Sequence, residues 1–334
     1  MNAVGAATVG AVAIGRNEGE RLRRCLASLS GTVSKIVYVD SDSSDDSVDI
    51  ARSFDAEVVQ LDLSLPFTAA RARNTGFEAL LALDPDIEYV HFVDGDCEVC
   101  AGWMGQATET IRTAPDLAIV WGRRFERYPE RTIYNWLTDL EWRWSWPFGE
   151  VRLCGGDALI RVRALQEIEG FDPSLIAGEE PEMCFRLRQA GWKIFRLDAE
   201  MTLHDADMTR FSQWWKRGLR AGHAYAEGAS LHGRSEERYC VREVRSLLFW
   251  GLLVPVAAIA GAWWTQGWSL LLLAGYPVLA LRIYRYVHGL GATRKDAWGY
   301  AAACVVEKFP GALGVLKYRI GRLLGKRSLI IEYK

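Results

Sequence analysis

Two acidic residues separated by one glycine, Asp94 and Asp96, follow directly on the apolar stretch YVHFV. Carboxylates at the C-terminal end of a strand point into the crevice where open α/β sheets bind ligands. Two carboxylates one residue apart suit a hard divalent cation that bridges phosphates. By itself the pair is a weak indication, because acidic loop residues after strands are common.

A second acidic cluster, VDSDSSDDS, ends another apolar stretch and places Asp40 where it can meet a nucleotide base or ribose. Residues 43–46 of this cluster also suit the N-cap of a following helix. The segment ARARNTG adds Arg73 on an amphipathic helix, where an arginine contacts solvent or pairs with an acid such as Asp94. A site for a nucleotide diphosphate and a metal ion at these residues would require several strand ends to meet at one edge of the sheet.

The elements that position these residues alternate along the first two hundred residues. Apolar, β-branched runs predict buried strands at residues 7–14, 35–40, 56–62, 87–94 and 117–123. Amphipathic stretches at residues 17–29 and 68–83 predict helices between them. This alternation predicts an α/β fold with a mostly parallel sheet covered on both faces.

Composition excludes several classes of protein. Of the 334 residues, 50% are hydrophobic and 25% charged, which indicates a folded chain of one large domain or two. The formal net charge of −2 gives no reason to expect a nucleic acid partner. Seven cysteines at irregular positions do not indicate a disulfide framework, and Cys97 and Cys100 lack the second pair that a structural zinc site needs.

The C-terminal part has a different character. Residues 247–264 carry no charge, and neither do residues 268–281, so both stretches approach the length needed to cross a bilayer. Arginines flank the pair on both outer sides and the turn between is uncharged, so the positive-inside rule predicts that both flanks are cytoplasmic. A transmembrane hairpin and a re-entrant hairpin both satisfy this pattern.

The last segment is basic. Residues 282–334 contain 11 Lys and Arg against 3 Asp and Glu, whereas residues 1–281 contain 29 against 39. We expect residues 297–316 to lie on the membrane, where the basic tail meets anionic lipid. The predicted organisation is a catalytic domain at 1–210, amphipathic interfacial helices at 211–246, a membrane hairpin at 247–287 and a surface tail at 288–334.

Taken together, these motifs resemble those of the family-2 glycosyltransferases of GT-A fold. The resemblance runs from about residue 8 to residue 225, and the motifs occur in the family's order: AIGRNEGERLRRCLASL, VDSDSSDDS, ARARNTG, VDGDCEV and the segment beginning CGGDALIRVRALQEIEGF. It implies a GT-A fold and a nucleotide-sugar donor. The residues that it assigns to nucleotide binding are Ile14, Asn17, Glu18, Asp40, Asp42, Arg73, Asp94, Gly156, Asp157 and Arg217.

The same resemblance implies the catalytic roles. Asp96, with Asp94 and His204, would hold Mn²⁺ or Mg²⁺. Glu180 occupies the position of the general base, although the family usually has Asp there, and Glu182 is the alternative base. Acidic residues at this point also favour a helix N-terminus.

Two aromatic segments leave their roles open. FSQWWKRGLRAG resembles the family's Q-x-x-R-W region, but three residues separate Gln213 from Arg217 and no Trp follows. An amphipathic helix at the membrane interface explains this segment equally well. The tryptophans of YNWLTDLEWRWSW either stack on sugars or pack against the fold.

The sequence therefore predicts an inverting, metal-dependent glycosyltransferase at the cytoplasmic face of the inner membrane. It would transfer one sugar from a nucleotide-sugar, a UDP-sugar in the first place, to a lipid-linked or glycan acceptor in envelope or exopolysaccharide synthesis. Transfer to polyprenyl phosphate is the alternative within the class. A sugar nucleotidylyltransferase would need a glycine-rich phosphate loop that AIGRNEGE lacks, and a non-catalytic carbohydrate-binding protein would not need the metal and base positions.

Overall fold

The computed structural model describes residues 8–62, 64–65 and 67–325. The start of the first predicted strand, at residue 7, and the end of the basic tail, from residue 326, lie outside the described residues. The chain divides into two compact units. The first comprises Met1–Arg127, Ser145–Leu175 and Glu179–Ala206, and the second comprises Tyr128–Trp144, Ile176–Gly178 and Asp207–Lys334.

A mixed sheet forms the centre of the first unit. Its strands in the described chain are β1 (Val9–Gly15), β2 (Lys35–Asp40), β3 (Glu57–Gln60), β4 (Tyr89–Asp94), β5 (Cys97–Val99), β6 (Leu117–Glu126), β7 (Gly149–Val151), β8 (Ala158–Arg161) and β9 (Lys193–His204). They are ordered β3-β2-β1-β4-β8-β6-β9-β5, and β7 also pairs with β9. The first four strands are parallel, as is the pair β6–β9, whereas β8 runs antiparallel to both of its neighbours.

The helices follow the amphipathic pattern of the sequence. They are α1 (Glu20–Leu29), α2 (Ser47–Ser53), α3 (Ala69–Leu83), α4 (Trp103–Thr113), α5 (Ile133–Trp144), α6 (Val162–Glu167), α7 (Glu179–Gln189), α8 (Phe211–His232), α9 (Val241–Leu248), α10 (Val254–Gly261), α11 (Gly275–Gly289), α12 (Arg294–Val306) and α13 (Lys308–Leu323). In α1, Leu22, Leu26 and Leu29 are fully buried, because they recur at helical spacing on one face of the helix.

Helix α3 lies unusually close to the sheet. Thr68 caps its N-terminus by accepting a hydrogen bond from the Arg71 N–H. At Gly76, an added Cβ would lie 2.4 Å from Val12 Cγ1 and 2.8 Å from Val39 Cγ2, so only glycine fits this approach. The close packing brings Arg73, one turn earlier, down to the ends of the central strands.

The strand predictions agree with the structure best where apolar runs are continuous. The predicted strand 35–40 matches β2, and 87–94 covers β4, whereas 56–62 shortens to β3 and 117–123 extends through residue 126 as β6. The sheet is less parallel than expected, because β5, β7 and β8, which have only three or four residues each, pair antiparallel.

The second unit is helical, and glycines set its closest contact. An added Cβ at Gly222 of α8 would lie 2.0 Å from the carbonyl oxygen of Gly311 in α13, and one at Gly314 would lie 2.1 Å from the carbonyl oxygen of Leu219. Gly218 lies four residues before Gly222, so small residues recur on one face of α8 and let the two backbones meet.

A hairpin of two long apolar helices belongs to the same unit. Helix α9 continues through a π-helical segment (Phe249–Leu253) into α10, and a 3₁₀ segment (Trp268–Ala274) leads into α11. Both arms, Val241–Gly261 and Trp268–Gly289, are long and apolar enough to cross a membrane. Only 22% and 6% of their apolar windows are buried within the protein, so most of this surface is available to another apolar environment.

Two tryptophans of the aromatic segment pack inside the second unit. The Trp136 indole N–H donates to Asp296 Oδ1 at 3.1 Å, and its ring lies so close to Gly299 that an added Cβ there would be 2.1 Å away. Trp144 packs against the apolar cluster of Val287 and Ala297. For these two residues the packing interpretation accounts for the side chain.

We predict that Gly222→Ala destabilises the second unit, because the methyl group must push α8 away from α13. Overpacking of this kind costs roughly 1–3 kcal/mol. The melting temperature of the purified protein in detergent measures the effect. Gly321→Ala in α13 is the matched control, since an added Cβ there meets no atom within 4 Å, and it should leave the melting temperature unchanged or raise it slightly. Equal losses in both variants would contradict the assignment of the glycine contact.

Candidate active site

A single buried guanidinium group joins the predicted donor and base residues. Arg73 Nη2 lies 2.9 Å from Asp94 Oδ1 and 3.0 Å from Glu180 Oε1, and Nη1 lies 3.0 Å from Glu179 Oε1. Asp94 ends β4, Arg73 comes from α3, and the two glutamates begin α7. Three segments that are far apart in the sequence therefore converge on one arginine, whose side chain is 3% exposed.

The opposite side of Asp94 contacts a second arginine. Arg124 Nη2 lies 3.2 Å from Asp94 Oδ2 and 2.9 Å from Asp157 Oδ2. Asp157 also accepts hydrogen bonds from the Asp94 backbone N–H at 3.2 Å and from Thr202 Oγ1 at 2.7 Å. The buried Asp157 thus lies in a network of protein groups that fixes the position of Asp94.

Gly156 forms one wall of this cluster. A Cβ added there would lie 3.0 Å from Asp94 Oδ2, 3.1 Å from Arg73 Nη2 and 3.3 Å from Glu180 Oε1. The missing side chain leaves the space directly over the three charged groups open to a ligand.

The surroundings of this cluster shift the pKa values of two carboxyl groups in opposite directions. Burial acts to raise the pKa of Asp94, but Arg73 and Arg124 outweigh it, and the pKa is lowered. Burial and the neighbouring Glu179 raise the pKa of Glu180 to about 7, against the pull of Arg73. Glu180 is therefore poised to accept or release a proton near neutral pH, as a general base requires.

The loops after β1 and β2 are joined to each other beside this cluster. The Asn17 N–H donates to Ser43 Oγ at 2.9 Å, and Asn17 Oδ1 accepts from the Ser44 N–H at 2.8 Å. The backbone N–H groups of Glu18 and Gly19 both donate to Ser47 Oγ at 3.1 Å. The predicted nucleotide residues of the two loops thus form one surface at the carboxyl ends of adjacent parallel strands.

Three further predicted nucleotide contacts lie at the same strand ends. Asp40 is buried and accepts from the Ser43 N–H at 3.0 Å and from the Tyr38 hydroxyl at 3.2 Å. Asp42 is exposed in a left-handed backbone conformation with φ +70°. Ile14 pairs in register with Asp94 across β1 and β4, and its carbonyl oxygen accepts from the Gly95 N–H at 2.8 Å.

Asp96 and His204 are side by side, because β5 pairs with β9 and brings Cys97 opposite His204. His204 Nε2 lies 3.4 Å from Asp96 Oδ2. Ligand atoms of Asp96, Cys97 and His204 all fall within 4.8 Å of one another. The carboxylate of Asp96 suits Mn²⁺ or Mg²⁺, and the imidazole of His204 favours a transition metal over Mg²⁺. Burial raises the pKa of the Cys97 thiol well above its usual value and makes its sulfur a weak ligand.

Two other predicted residues have partners of their own. Glu182, the alternative base, is buried and makes a bidentate pair with Arg186 at 2.9–3.0 Å. Arg217, the predicted diphosphate contact from the Q-x-x-R-W region, forms a bidentate pair with Glu141 inside the second unit. The partner of Glu182 could be read from the sequence, because the two residues stand four apart on a helix.

Sequence reasoning missed Arg124 and Glu126, both on β6. The backbone N–H of Ala206 donates to Glu126 Oε2 at 3.1 Å, and that carboxylate lies 3.6 Å from His204 Nδ1. No local motif marks either residue. Their proximity to the site arises from the pairing of β6 with β9, which is about 80 residues distant in the chain.

The fold is an α/β domain of GT-A type, with acidic residues at its strand ends and the half-buried carboxyl group of Glu180 joined to Asp94 through Arg73. Residues 12–167 match the model of the family described as Glycosyl transferase family 2. This match covers a little under half of the chain and agrees with the resemblance that the motifs gave.

Individual relatives are distant. A curated relative, the pre-mycofactocin glycosyltransferase of Mycobacterium tuberculosis (strain CDC 1551 / Oshkosh), is 28% identical over 233 residues. The match covers 65% of this chain and 46% of the relative, so the chain spans about half of its length. A relative of the same name in strain ATCC 25618 / H37Rv matches equally.

Among solved structures, the mannosyltransferase PcManGT from Pyrobaculum calidifontis has the same fold. The TM-score is 0.64 at 16% identity, and the likeness covers 93% of this chain and 86% of that one. That protein was solved in complex with GDP-Man and Mn²⁺.

We predict that kcat/KM for sugar transfer rises with pH and has an inflection near 7. The deprotonated carboxylate of Glu180 is the active form of a base, so activity is lost as the pH falls through this value. Rates between pH 5.5 and 8.5 at saturating metal measure the profile. Glu179→Gln removes the neighbouring charge and should move the inflection to lower pH. A profile that is flat from pH 6 to 8 would show that Glu180 does not limit the reaction.

Proposed function

We propose that the protein is an inverting, metal-dependent glycosyltransferase that transfers one sugar from a nucleotide-sugar to a lipid-linked or glycan acceptor. The observation that carries the proposal is the bridge from Asp94, a predicted donor residue, through Arg73 to Glu180, the proposed base. A single displacement needs a base close to the donor's anomeric carbon and on the side away from the leaving group. The bridge supports this arrangement by holding the two carboxylates on one guanidinium.

The chain's own residues would share the work as follows. The β1–α1 and β2–α2 loops bind the nucleoside, and Asp94, held between Arg73 and Arg124, orients the ribose and diphosphate. Mn²⁺ or Mg²⁺ is the cofactor, and when bound at Asp96 and His204 it supplies positive charge that stabilises the leaving diphosphate. Glu180 removes the proton from the acceptor hydroxyl as its oxygen attacks the anomeric carbon. The bond to the diphosphate breaks on the opposite side, so the anomeric centre is inverted.

Glu180 is a better base than Glu182 for two reasons. Glu180 faces the cluster of Asp94, Arg73 and Gly156, whereas both oxygens of Glu182 are taken up by Arg186. Arg186 also donates to the Gly170 carbonyl oxygen at 2.7 Å, so this pair supports the start of α7. The Glu182 carboxylate is therefore bound to Arg186 and has a structural role, which leaves Glu180 as the better candidate for the base.

We predict that Glu180→Gln keeps donor affinity but lowers transfer by roughly 10²–10⁴-fold, because an amide cannot accept the proton. Thermal shifts with UDP-, GDP-, dTDP- and CMP-sugars, each with and without Mn²⁺, measure donor binding and identify the nucleotide. A UDP-sugar is the donor we expect. Glu182→Gln is the comparison variant and should lose stability more than turnover. If Glu182→Gln abolishes transfer and Glu180→Gln does not, the base lies two residues further on.

The alternative acceptor, polyprenyl phosphate, calls for free basic side chains near Glu180. The arginines placed there by the structure, Arg73 and Arg124, already contact carboxylates. An acceptor hydroxyl on a lipid-linked or free glycan suits this environment better than a second anionic phosphate.

We place the enzyme at the cytoplasmic face of the inner membrane, anchored by the hairpin. Each arm spans about 30 Å at 1.5 Å per residue, which matches the hydrocarbon core. Three tryptophans at the turn, Trp263, Trp264 and Trp268, are 74–87% exposed, and such residues are enriched at membrane interfaces. Arg242 and Arg285 lie within the arms, near the ends that face away from the turn, and suit the cytoplasmic side. This placement fits a role in envelope or exopolysaccharide synthesis.

We predict that a reporter fused after Lys334 reports the cytoplasm and that truncation after Arg245 weakens membrane association. A cysteine introduced at Gln266, in the turn, should react with an impermeant maleimide added from outside if the hairpin spans the membrane. Protection of that cysteine would indicate a re-entrant hairpin. An external reporter would mean that residues 297–316 cross as well, and firm binding of the truncated protein at high salt would move the anchor to α8.

A further inference from the structure

Strand β6 presents two charged side chains to the predicted donor site. Arg124 and Glu126 stand at alternate positions, so both point to the same face of the strand, whereas Arg123 points to the other. Arg123 pairs with Asp198 and covers the ring of Phe148 at 4.9 Å, away from the site. The strand thus separates two arginines that are neighbours in the sequence.

Arg124 contacts Asp94, and Glu126 lies beside His204, the neighbour of Asp96. Arg124 contacts Asp94 directly and also contacts Asp157, which accepts from the Asp94 N–H. Glu126 lies 3.6 Å from His204 Nδ1, while His204 Nε2 lies 3.4 Å from Asp96. The imidazole therefore lies between a buried carboxylate on one side and the predicted metal ligand on the other.

An irregularity in the sheet creates this placement. Arg123 pairs with Glu200 of β9 but Arg124 pairs with Thr202, so β9 contains one extra residue between these two positions. Bulges of this kind re-aim side chains and are frequent beside active sites. Beyond the bulge, Glu126 comes into register with His204.

We propose that Arg124 and Glu126 are positioning residues for the donor and metal site, Arg124 for Asp94 and Glu126 for the ring of His204. The proposal rests on the proposed function, because it assigns the two residues to the nucleotide and metal site of that reaction. Neither residue touches the reacting atoms. Carboxylates that orient a ligating histidine through its second nitrogen typically change metal affinity by about 10–100-fold when they are altered.

The direction of the effect distinguishes positioning from simple charge. Removing the positive charge of Arg124 would by itself strengthen the binding of a cation nearby. Shortening Glu126 to Asp would leave the charge as it is. A geometric role predicts weaker binding in both cases, because Asp94 loses its restraint in one variant and the His204 ring loses its orientation in the other.

The experiment measures Mn²⁺ affinity of the purified full-length protein, with and without UDP, by electron paramagnetic resonance of free Mn²⁺. The variants are Arg124→Met and Glu126→Asp. The controls are Arg123→Met, on the opposite face of the same strand, and Glu200→Asp, an exposed carboxylate on β9. We expect both variants to bind Mn²⁺ at least tenfold more weakly with UDP present, and both controls to match the wild type.

Turnover supplies the second measurement. In the two variants the Mn²⁺ concentration for half-maximal rate should rise, and excess Mn²⁺ should recover much of kcat. A merely structural role would lower the active fraction without moving this concentration. Circular dichroism and the melting temperature establish folding, and Arg124→Lys, which keeps the charge but loses the planar fork, replaces Arg124→Met if that variant does not fold.

Unchanged Mn²⁺ affinity in either folded variant overturns the role of that residue, and tighter binding in Arg124→Met reduces Arg124 to a charge effect. Failure of the proposed function looks different. In that case the wild-type protein itself would not bind Mn²⁺ with UDP.

Discussion

The site depends on one guanidinium group shared by three carboxylates. Without Arg73, the carboxylates of Asp94, Glu179 and Glu180 would lie together with little water to separate their charges, and repulsion would drive them apart or protonate them. With it, Asp94 is held ionised while Glu180 keeps a pKa of about 7. The same contact therefore assembles the site, whereas the second arginine beside Asp94, Arg124, and the acidic neighbour of Glu180, Glu179, make the two acids differ. It also explains the glycine at position 76, because α3 must approach the sheet closely for Arg73 to reach this point.

The order and direction of the strands bring the partners of Arg73 together. Parallel strands β1, β2 and β4 end at one edge, and the loops that follow them carry the predicted nucleotide residues. The antiparallel strands β5 and β8 place the residues that precede them at the same edge. These residues are Asp96, from the turn before β5, and Gly156 and Asp157, from the loop before β8. A purely parallel sheet would have separated these groups by whole helices. The mixed character of the sheet is thus a condition for the site as well as a property of the fold.

How far the site could be predicted depended on where its signals lie in the chain. Asp94, Asp96 and Arg73 belong to local motifs next to clear strands and helices, and Glu180 stands in an acidic pair that opens a helix. Arg124 and Glu126 carry no such signal, because their role arises from the bulged pairing of two strands. In the second unit, the uncharged hairpin was evident from composition, whereas the meeting of Gly222 with Gly311 needs the relative register of two helices. Local chemistry is readable from one sequence, and contacts between distant segments are not.

The turn of the hairpin has a bearing on how the protein is made. Its six residues, 262–267, contain no ionisable group, so the segment that would have to pass the hydrocarbon is small and carries no charge to be dehydrated. The free-energy cost of moving such a loop across a bilayer is small. The two arms can enter together, because the Ser269 hydroxyl donates a hydrogen bond to the Ala258 carbonyl oxygen at 2.7 Å and joins them. In the topology proposed above, the polypeptide before the hairpin stays on the cytoplasmic side and can fold there during synthesis.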